Sequence, residues 1–148
     1  MGRSESLITY TFTIEGDPVP KGRPRFSRRG KGVVTYTPER TKTYEQLVLE
    51  AARTVVADKI SQPCIVTITF ILKRPKRLMG AKHHDGLIPH AKRPDVDNLA
   101  KAVLDGLGEL LDDDALITSL TCTKFYAAKG DTPKTHVTIS LKDNTYDP

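Results

Sequence analysis

The chain has 148 residues, of which 38% are hydrophobic and 28% are charged, and its formal net charge is +5. This length and composition predict one globular domain with its own core and exclude a disordered chain. The sequence contains no apolar run long enough to span a membrane. The basic excess favours an anionic partner without identifying it, and since we recognise no signal peptide we expect a cytoplasmic protein with no membrane partner.

The first periodic segment runs from Leu7 to Glu15. Ile8, Tyr10, Phe12 and Ile14 alternate with threonines, which predicts a half-buried strand. The glycines and prolines that follow, between residues 16 and 22, end regular structure.

A basic segment follows, and its glycine-rich end and the run Val33 to Tyr36 predict a hairpin or an excursion that ends in a strand. Arginine side chains form forked hydrogen bonds with phosphate oxygens, so the segment is interpreted as a phosphate-contacting loop or ribbon. The alternative is a solvated basic loop without a binding role. The basic residues concerned are Lys21, Arg23, Arg25, Arg28, Arg29 and Lys31.

A long helix is expected between residues 37 and 63. Thr37, Pro38 and Glu39 combine a capping hydroxyl, a proline in the first turn and an acid near the positive end of the helix dipole. Gln62 and Pro63 mark the end of the segment. The apolar face expected to pack on a sheet consists of Tyr44, Leu47, Val48, Ala51, Ala52, Val55 and Val56.

The run from Cys64 to Leu72 predicts the most central strand, because both of its sides are largely apolar. Cys64 and Cys122 are the only cysteines in the chain, and both lie in apolar, strand-like runs. We therefore expect buried free thiols, without a disulfide framework or a cysteine-based zinc site.

Residues 73–92 have no period and contain Gly80, Gly86 and Pro89, which predicts a long exposed loop that is functional or mobile. Zinc binding by the loop histidines is an alternative, but no regular spacing supports it, and solvated histidines are expected instead. The histidines are His83, His84 and His90, the last lying five residues before Asp95.

The acidic stretch from Asp95 to Asp114 contains seven acids and one base, Lys101. Its apolar pattern predicts a helix with one face toward a core and an opposite face of charged residues spaced by four. The core-facing residues are Leu99, Val103, Leu107 and Leu110, and the charged residues are Asp97, Lys101, Asp105 and Glu109.

Crowded carboxylates repel one another, and a divalent cation such as Mg²⁺, which prefers oxygen ligands, removes that cost. Asp95 and Asp97 would stand at the mouth of the helix, and an acid from 112–114 could close the site if the chain folds back. Lys101 could then stabilise charge or donate a proton in phosphodiester hydrolysis. The alternatives are structural roles: Asp97 as a helix N-cap, Asp105 and Glu109 paired with Lys101, and a polar turn of three aspartates.

The last two periodic segments, Ile117 to Ala127 and Thr135 to Leu141, predict strands separated by a turn at residues 129–131. The order of elements predicts an α/β (α+β) fold. We expect one domain covering residues 1–148, with a mixed β-sheet and two main helices packed on one face.

The motif Pro94-Asp-Val-Asp-Asn-Leu-Ala-Lys101, followed by Asp113-Asp-Ala-Leu-Ile117, closely resembles the RusA-like Holliday-junction resolvases of bacteria and their phages. The pattern of that family is Pro-Asp-x-Asp-Asn-Leu-x-Lys, a short helix, and Asp-Asp before a strand. The opening Gly16-Asp-Pro-Val-Pro-Lys-Gly-Arg-Pro-Arg25 and the run Tyr36-Thr-Pro-Glu39 are similar to phage-type members. The resemblance covers most of the chain.

The resemblance implies a homodimeric endonuclease that uses Mg²⁺, with Mn²⁺ as a substitute, to make paired nicks in four-way DNA junctions during recombination and repair. By position, Asp95, Asp97 and Asp114 would bind metal with Asp113 beside them, and Lys101 would be the essential lysine; the extra acid Asp112 departs from the family pattern. Alternatives are a nuclease for flaps or other branched DNA and a DNA-binding protein without cleavage activity. DNA contacts are expected from Lys21, Arg23, Arg25, Arg28, Arg29, Lys31, Lys92 and Arg93.

Overall fold

The alternating segments near both ends of the chain become neighbouring strands of one sheet. The structure, a computed structural model, describes residues 8–22, 25–28, 33–36 and 39–142. Its helices are α1 (Glu39–Arg53) and α2 (Val96–Leu107). Its strands are β1 (Thr9–Glu15), β2 (Arg25–Arg28), β3 (Val33–Tyr36), β4 (Cys64–Leu72), β5 (Ile88–Pro89), β6 (Ile117–Tyr126) and β7 (Lys134–Leu141).

The main sheet has the strand order β1-β7-β4-β6-β5. Strand β4 runs antiparallel to β7 and parallel to β6, so the sheet is mixed and β4 is central, as its apolar character predicts. With two helices, this sheet confirms the predicted α+β fold class. Strands β2 and β3 form a separate antiparallel hairpin, which confirms the expected hairpin in the basic segment.

The core lies between the helices and one face of the sheet. Helix α2 turns its predicted apolar stripe inward, and Leu99, Val103 and Leu107 are buried against the sheet and α1. The sheet contributes alternate side chains, because neighbouring residues of a strand point to opposite faces. In the central strand these are Cys64, Val66, Ile68 and Phe70, all fully buried.

Helix α1 is shorter and buries a narrower stripe than its sequence predicts. It ends at Arg53, and Leu47 and Val55, both expected in the core, are 44% and 41% exposed. The helix lies beside α2 and β1, so only residues close to one line along its axis reach the core. The buried residues of α1 are Thr41, Tyr44, Val48 and Ala52. Within the described residues, no helix has the length and apolar character that a membrane crossing requires.

Gly106 determines how closely the two helices approach. A Cβ atom at this position would lie 2.8 Å from the backbone oxygen of Glu45 and 2.8 Å from the Cβ of Val48. Such distances are far inside ordinary contact, so the close approach of α1 and α2 requires glycine here. This contact holds α2 in place and thereby positions the residues at both of its ends.

Both cysteines are free thiols, as expected. Cys64 is buried, and Cys122 is half-buried rather than fully buried. Burial raises the pKa of both thiols, which keeps them protonated and unreactive near neutral pH.

Candidate active site

Asp95 occupies the N-cap position of α2. Its backbone is extended, with φ −69° and ψ 144°, and its carbonyl accepts the first helical hydrogen bond, from the Leu99 N–H at 3.2 Å. The interpretation of Asp97 as the N-cap is therefore wrong, because Asp97 already lies inside the first turn. The Asp95 side chain makes no capping hydrogen bond and is exposed, so its carboxylate remains available for a ligand.

Lys124 holds the segment that leads to Asp95. Its ammonium group donates hydrogen bonds to the carbonyl oxygens of Lys92 and Pro94, both at 2.8 Å. Its own carbonyl accepts a bond from the His90 N–H at 3.2 Å. These bonds attach the bent segment before Asp95 to the sheet and place the start of α2 beside the C-terminal half of β6. This role was not predicted, although Lys124 is the only charged residue of β6.

His90 packs beneath the same segment. It is only 8% exposed, and its ring lies 4.4 Å from the ring of Tyr126, measured between centroids. Its Nδ1 accepts a hydrogen bond from the Lys92 N–H at 3.4 Å. Burial, aided by the charge of Lys124, lowers the pKa of His90 and so favours the neutral imidazole. The expectation of a solvated histidine is wrong at this position.

The acids Asp105 and Glu109 form ion pairs with other partners than Lys101, which was the expected one. Asp105 forms an ion pair with Lys21 at 3.0 Å, and Glu109 forms one with Arg53 at 3.1 Å. Neither acid pairs with Lys101, which is exposed and has no ion pair within the described residues. Lys101 therefore presents a free ammonium group one helical turn after Asp97.

An open cleft of about 440 Å³ lies at the start of α2, bordered by Lys21, Arg93, Asp95 and Asn98. Lys21 contacts the Glu45 carboxylate at 2.6 Å, and its backbone N–H donates to the Asn98 carbonyl at 2.9 Å. The hydrogen bond with Glu45 is the main cause that raises the pKa of Lys21. The cleft thus combines the free carboxylate of Asp95 with the exposed Arg93, while the charge of Lys21 is matched by Glu45 and Asp105.

The second group of acids lies at the other end of β6. Asp113 caps a short 3₁₀ turn that leads into this strand, with its Oδ1 accepting a bond from the Ala115 N–H at 2.8 Å. From Ile117 to Lys124 the strand advances seven residues, or about 23 Å. Consistent with that span, no group of three or more side chains that could ligate a metal comes together in the described part of one chain. Within the described residues of one chain, the acids at 112–114 therefore do not join Asp95 and Asp97 in one cluster, and the metal-binding roles of Asp113 and Asp114 stay predictions.

The remaining predicted DNA contacts are distributed around the cleft and the hairpin. Lys92 and Arg93 are exposed immediately before Asp95. Arg25 and Arg28 lie in β2, at the two ends of the hairpin ladder. Their roles in DNA binding stay predictions. Three further residues, Arg23, Arg29 and Lys31, lie outside the described residues.

Comparison with known proteins gives two matches. The model of the family described as Endodeoxyribonuclease RusA matches residues 15–140. The uncharacterized protein YqaN of Bacillus subtilis (strain 168) is 33% identical over 135 residues, which cover 86% of this chain and 93% of YqaN. The family match includes the cleft, both groups of acids and all of α2.

Proposed function

Because the chain belongs to the endodeoxyribonuclease RusA family, we propose that it is a metal-dependent endonuclease that resolves four-way DNA junctions by paired nicks. The observation that carries the proposal is the exposed, uncapped carboxylate of Asp95, next to a cleft with two cationic side chains. A carboxylate beside cations suits a site that binds both a metal ion and a phosphate, whereas binding of DNA alone would not favour acids there.

The donor chemistry at the start of α2 fits Mg²⁺, with Mn²⁺ as a substitute. Asp95 and Asp97 offer exposed carboxylate oxygens, which are the ligands that hard divalent cations prefer. When bound, the cation would supply activation of water and neutralisation of phosphate charge. Lys101 has a free ammonium group that can stabilise negative charge on the phosphate, and Arg93, which borders the same cleft as Asp95, can orient the phosphate.

The outer edge of β6 suggests how the acidic site is completed. Strand β4 pairs with β6 on one side along its whole length, but β5 pairs on the other side only with Phe125 and Tyr126. In the described residues, the edge from Ile117 to Thr123 therefore has no partner strand. Leu120, in the middle of this edge, is 43% exposed. Free edges with apolar side chains are the surfaces that pair with another chain.

We therefore propose that two copies pair through their β6 edges, antiparallel and about a two-fold axis near Leu120. Such pairing would bring the beginning of one β6 strand to the end of the other. Asp114 of one copy would then approach the loop that carries Asp95 in its partner. Asp113 already accepts a bond from Ala115, which leaves Asp114 as the freer ligand. Each dimer would contain two such sites, as paired nicking requires.

A mixing experiment tests this arrangement. Asp95→Asn and Asp114→Asn should each abolish cleavage, and co-expression of the two variants should restore one intact site in each mixed dimer. That dimer should nick a supercoiled cruciform plasmid without linearising it directly. A chain that carries both substitutions, co-expressed with wild type, should give no active site in the mixed dimer. If the site lies within one chain, the two mixtures would give the opposite results.

Substrate choice requires a second measurement. Wild-type protein should cut a synthetic four-way junction only when Mg²⁺ or Mn²⁺ is present, and it should cut a flap or linear duplex far more slowly. Equal cleavage of flaps would favour the flap nuclease, and tight binding without cleavage in either metal would favour a DNA-binding protein.

A further inference from the structure

The segment 73–92 is held in one conformation by a buried arginine. Arg74 is only 7% exposed, and its guanidinium group donates hydrogen bonds exclusively to backbone carbonyls. These carbonyls belong to both halves of the segment and to the residue that follows β6. One side chain therefore fixes the path of the whole segment. The acceptors are Leu78 at 2.9 Å, Gly86 at 2.9 Å, Ala127 at 3.4 Å, and His84.

A second cation, Lys129, fixes the tip of the segment. Its ammonium group donates to the carbonyls of Gly80 at 2.9 Å and His83 at 2.8 Å, and it forms an ion pair with Asp85 at 2.9 Å. The hydrogen bond with Lys129 is the main cause that lowers the pKa of Asp85. Asp85 is the only acid between residues 73 and 93, and its side chain is 90% exposed, with Lys129 offsetting its negative charge.

Apart from Asp85, the exposed charges of the segment are all positive. The segment also continues directly into Asp95, through β5 and the carbonyls that Lys124 holds. Of the two roles predicted for this loop, functional or mobile, these hydrogen bonds favour the functional one, since a fixed path would spare a ligand the cost of ordering the segment. The exposed cations are Lys73, Lys76, Arg77, Lys82, Lys92 and Arg93.

We propose that segment 73–92 is a preformed phosphate-binding surface that holds a duplex arm of the DNA beside the cleavage site. Lys76 and Lys82 are its central contacts, because both are exposed and neither has a side-chain hydrogen bond or ion pair in the described residues. The inference rests on the proposed function, since it takes the bound DNA to be the molecule that is cut at Asp95. Arg74 and Lys129 are positioning residues for this surface.

The test compares two variants that remove the same number of positive charges. Lys76→Gln with Lys82→Gln changes the proposed surface, and Lys59→Gln with Lys142→Gln changes exposed lysines near the opposite end of β4. Binding of a labelled four-way junction is measured without divalent metal at several salt concentrations. Removing one lysine–phosphate interaction should lower the slope of log affinity against log salt by about 0.9, so the slope of the first variant should fall by up to about 1.8.

The control variant should keep the wild-type slope, and shortening the junction arms to a few base pairs should abolish the difference between the two variants. The proposal would be overturned if the slope of the first variant fell by less than about 0.9, if the control fell equally, or if the difference persisted with short arms. Sedimentation gives one more result that would overturn the proposal. If the first variant dissociates into smaller species than the wild type, the surface binds another protein chain and not DNA. A wild type that binds DNA through this surface but never cuts junctions would contradict the proposed function alone.

Discussion

Replacement of Lys124 by methionine tests whether β6 positions the segment 92–95, which leads into the proposed active site. The substitution keeps the length of the side chain but removes two hydrogen bonds of 2.8 Å to the carbonyls of Lys92 and Pro94. A hydrogen bond that involves a charged group contributes about 1.5–3 kcal/mol. Since the two bonds share one ammonium group and the freed carbonyls can bind water, we expect stability to fall by about 2 kcal/mol for the pair. In a chain of this size that change lowers the melting temperature by about 4–8 °C.

The same substitution should slow cleavage more than it weakens binding. The segment from Lys92 to Asp95 would lose its attachment to the sheet, and a displacement of about 1 Å at a reacting group can reduce the rate about 100-fold. We expect single-turnover cleavage of a four-way junction to fall by roughly 10–100-fold. The salt dependence of binding should not change, because the Lys124 ammonium group already binds two carbonyls.

Lys142→Met provides the matched control, since it removes one charge from an exposed lysine just after β7, which β4 separates from β6. It should leave both the melting temperature and the cleavage rate at wild-type values. The reasoning fails if Lys124→Met cuts junctions at the wild-type rate despite its lower melting temperature. The reasoning also fails if the slope of log affinity against log salt falls by about 0.9 in Lys124→Met, because that result would identify Lys124 as a phosphate-binding residue.

Three further predictions concern other parts of the molecule. Gly106→Ala should lower the free energy of unfolding by about 1–3 kcal/mol in denaturant titrations, because the added Cβ meets α1 at 2.8 Å, whereas Gly108→Ala, with nothing within 4 Å, should not. Lys101→Ala should keep the melting temperature and DNA affinity but lose most of the single-turnover rate; an unchanged rate would exclude Lys101 from the chemistry. Burial holds the pKa of His90 below its ordinary value of about 6.5, so the unfolded chain binds the proton more readily and stability falls as the pH drops below about 6.5. His90→Phe, which keeps a ring against Tyr126, should show a smaller acid-dependent decrease in stability, and a profile parallel to wild type would contradict this account.

Local patterns were sufficient to predict most elements of the fold. The alternation in β1, β4 and β7 and the apolar stripe of α2 depend only on neighbours a few residues away, and the structure confirms them. The sequence likewise predicted that Asp97 and Lys101 lie on one face of α2, because residues spaced by four in a helix are neighbours on its surface. The predicted buried face of the long helix is wrong at Leu47, since the width of a buried stripe depends on what packs against the helix, and at Val55, because α1 ends at Arg53 before reaching it.

Contacts between distant parts of the chain decided the rest. Lys124 reaches carbonyls about 30 residues away, and Arg74 binds a carbonyl 53 residues away, so no local pattern could indicate either role. Burial of His90 likewise depends on Tyr126, across the β5–β6 pairing. The sequence by itself determined which residues are available for chemistry at the start of α2. Only the tertiary structure decided that Asp95 and Asp114 lie beside opposite ends of β6. The reason is that the direction in which α2 packs along this strand depends on the core as a whole.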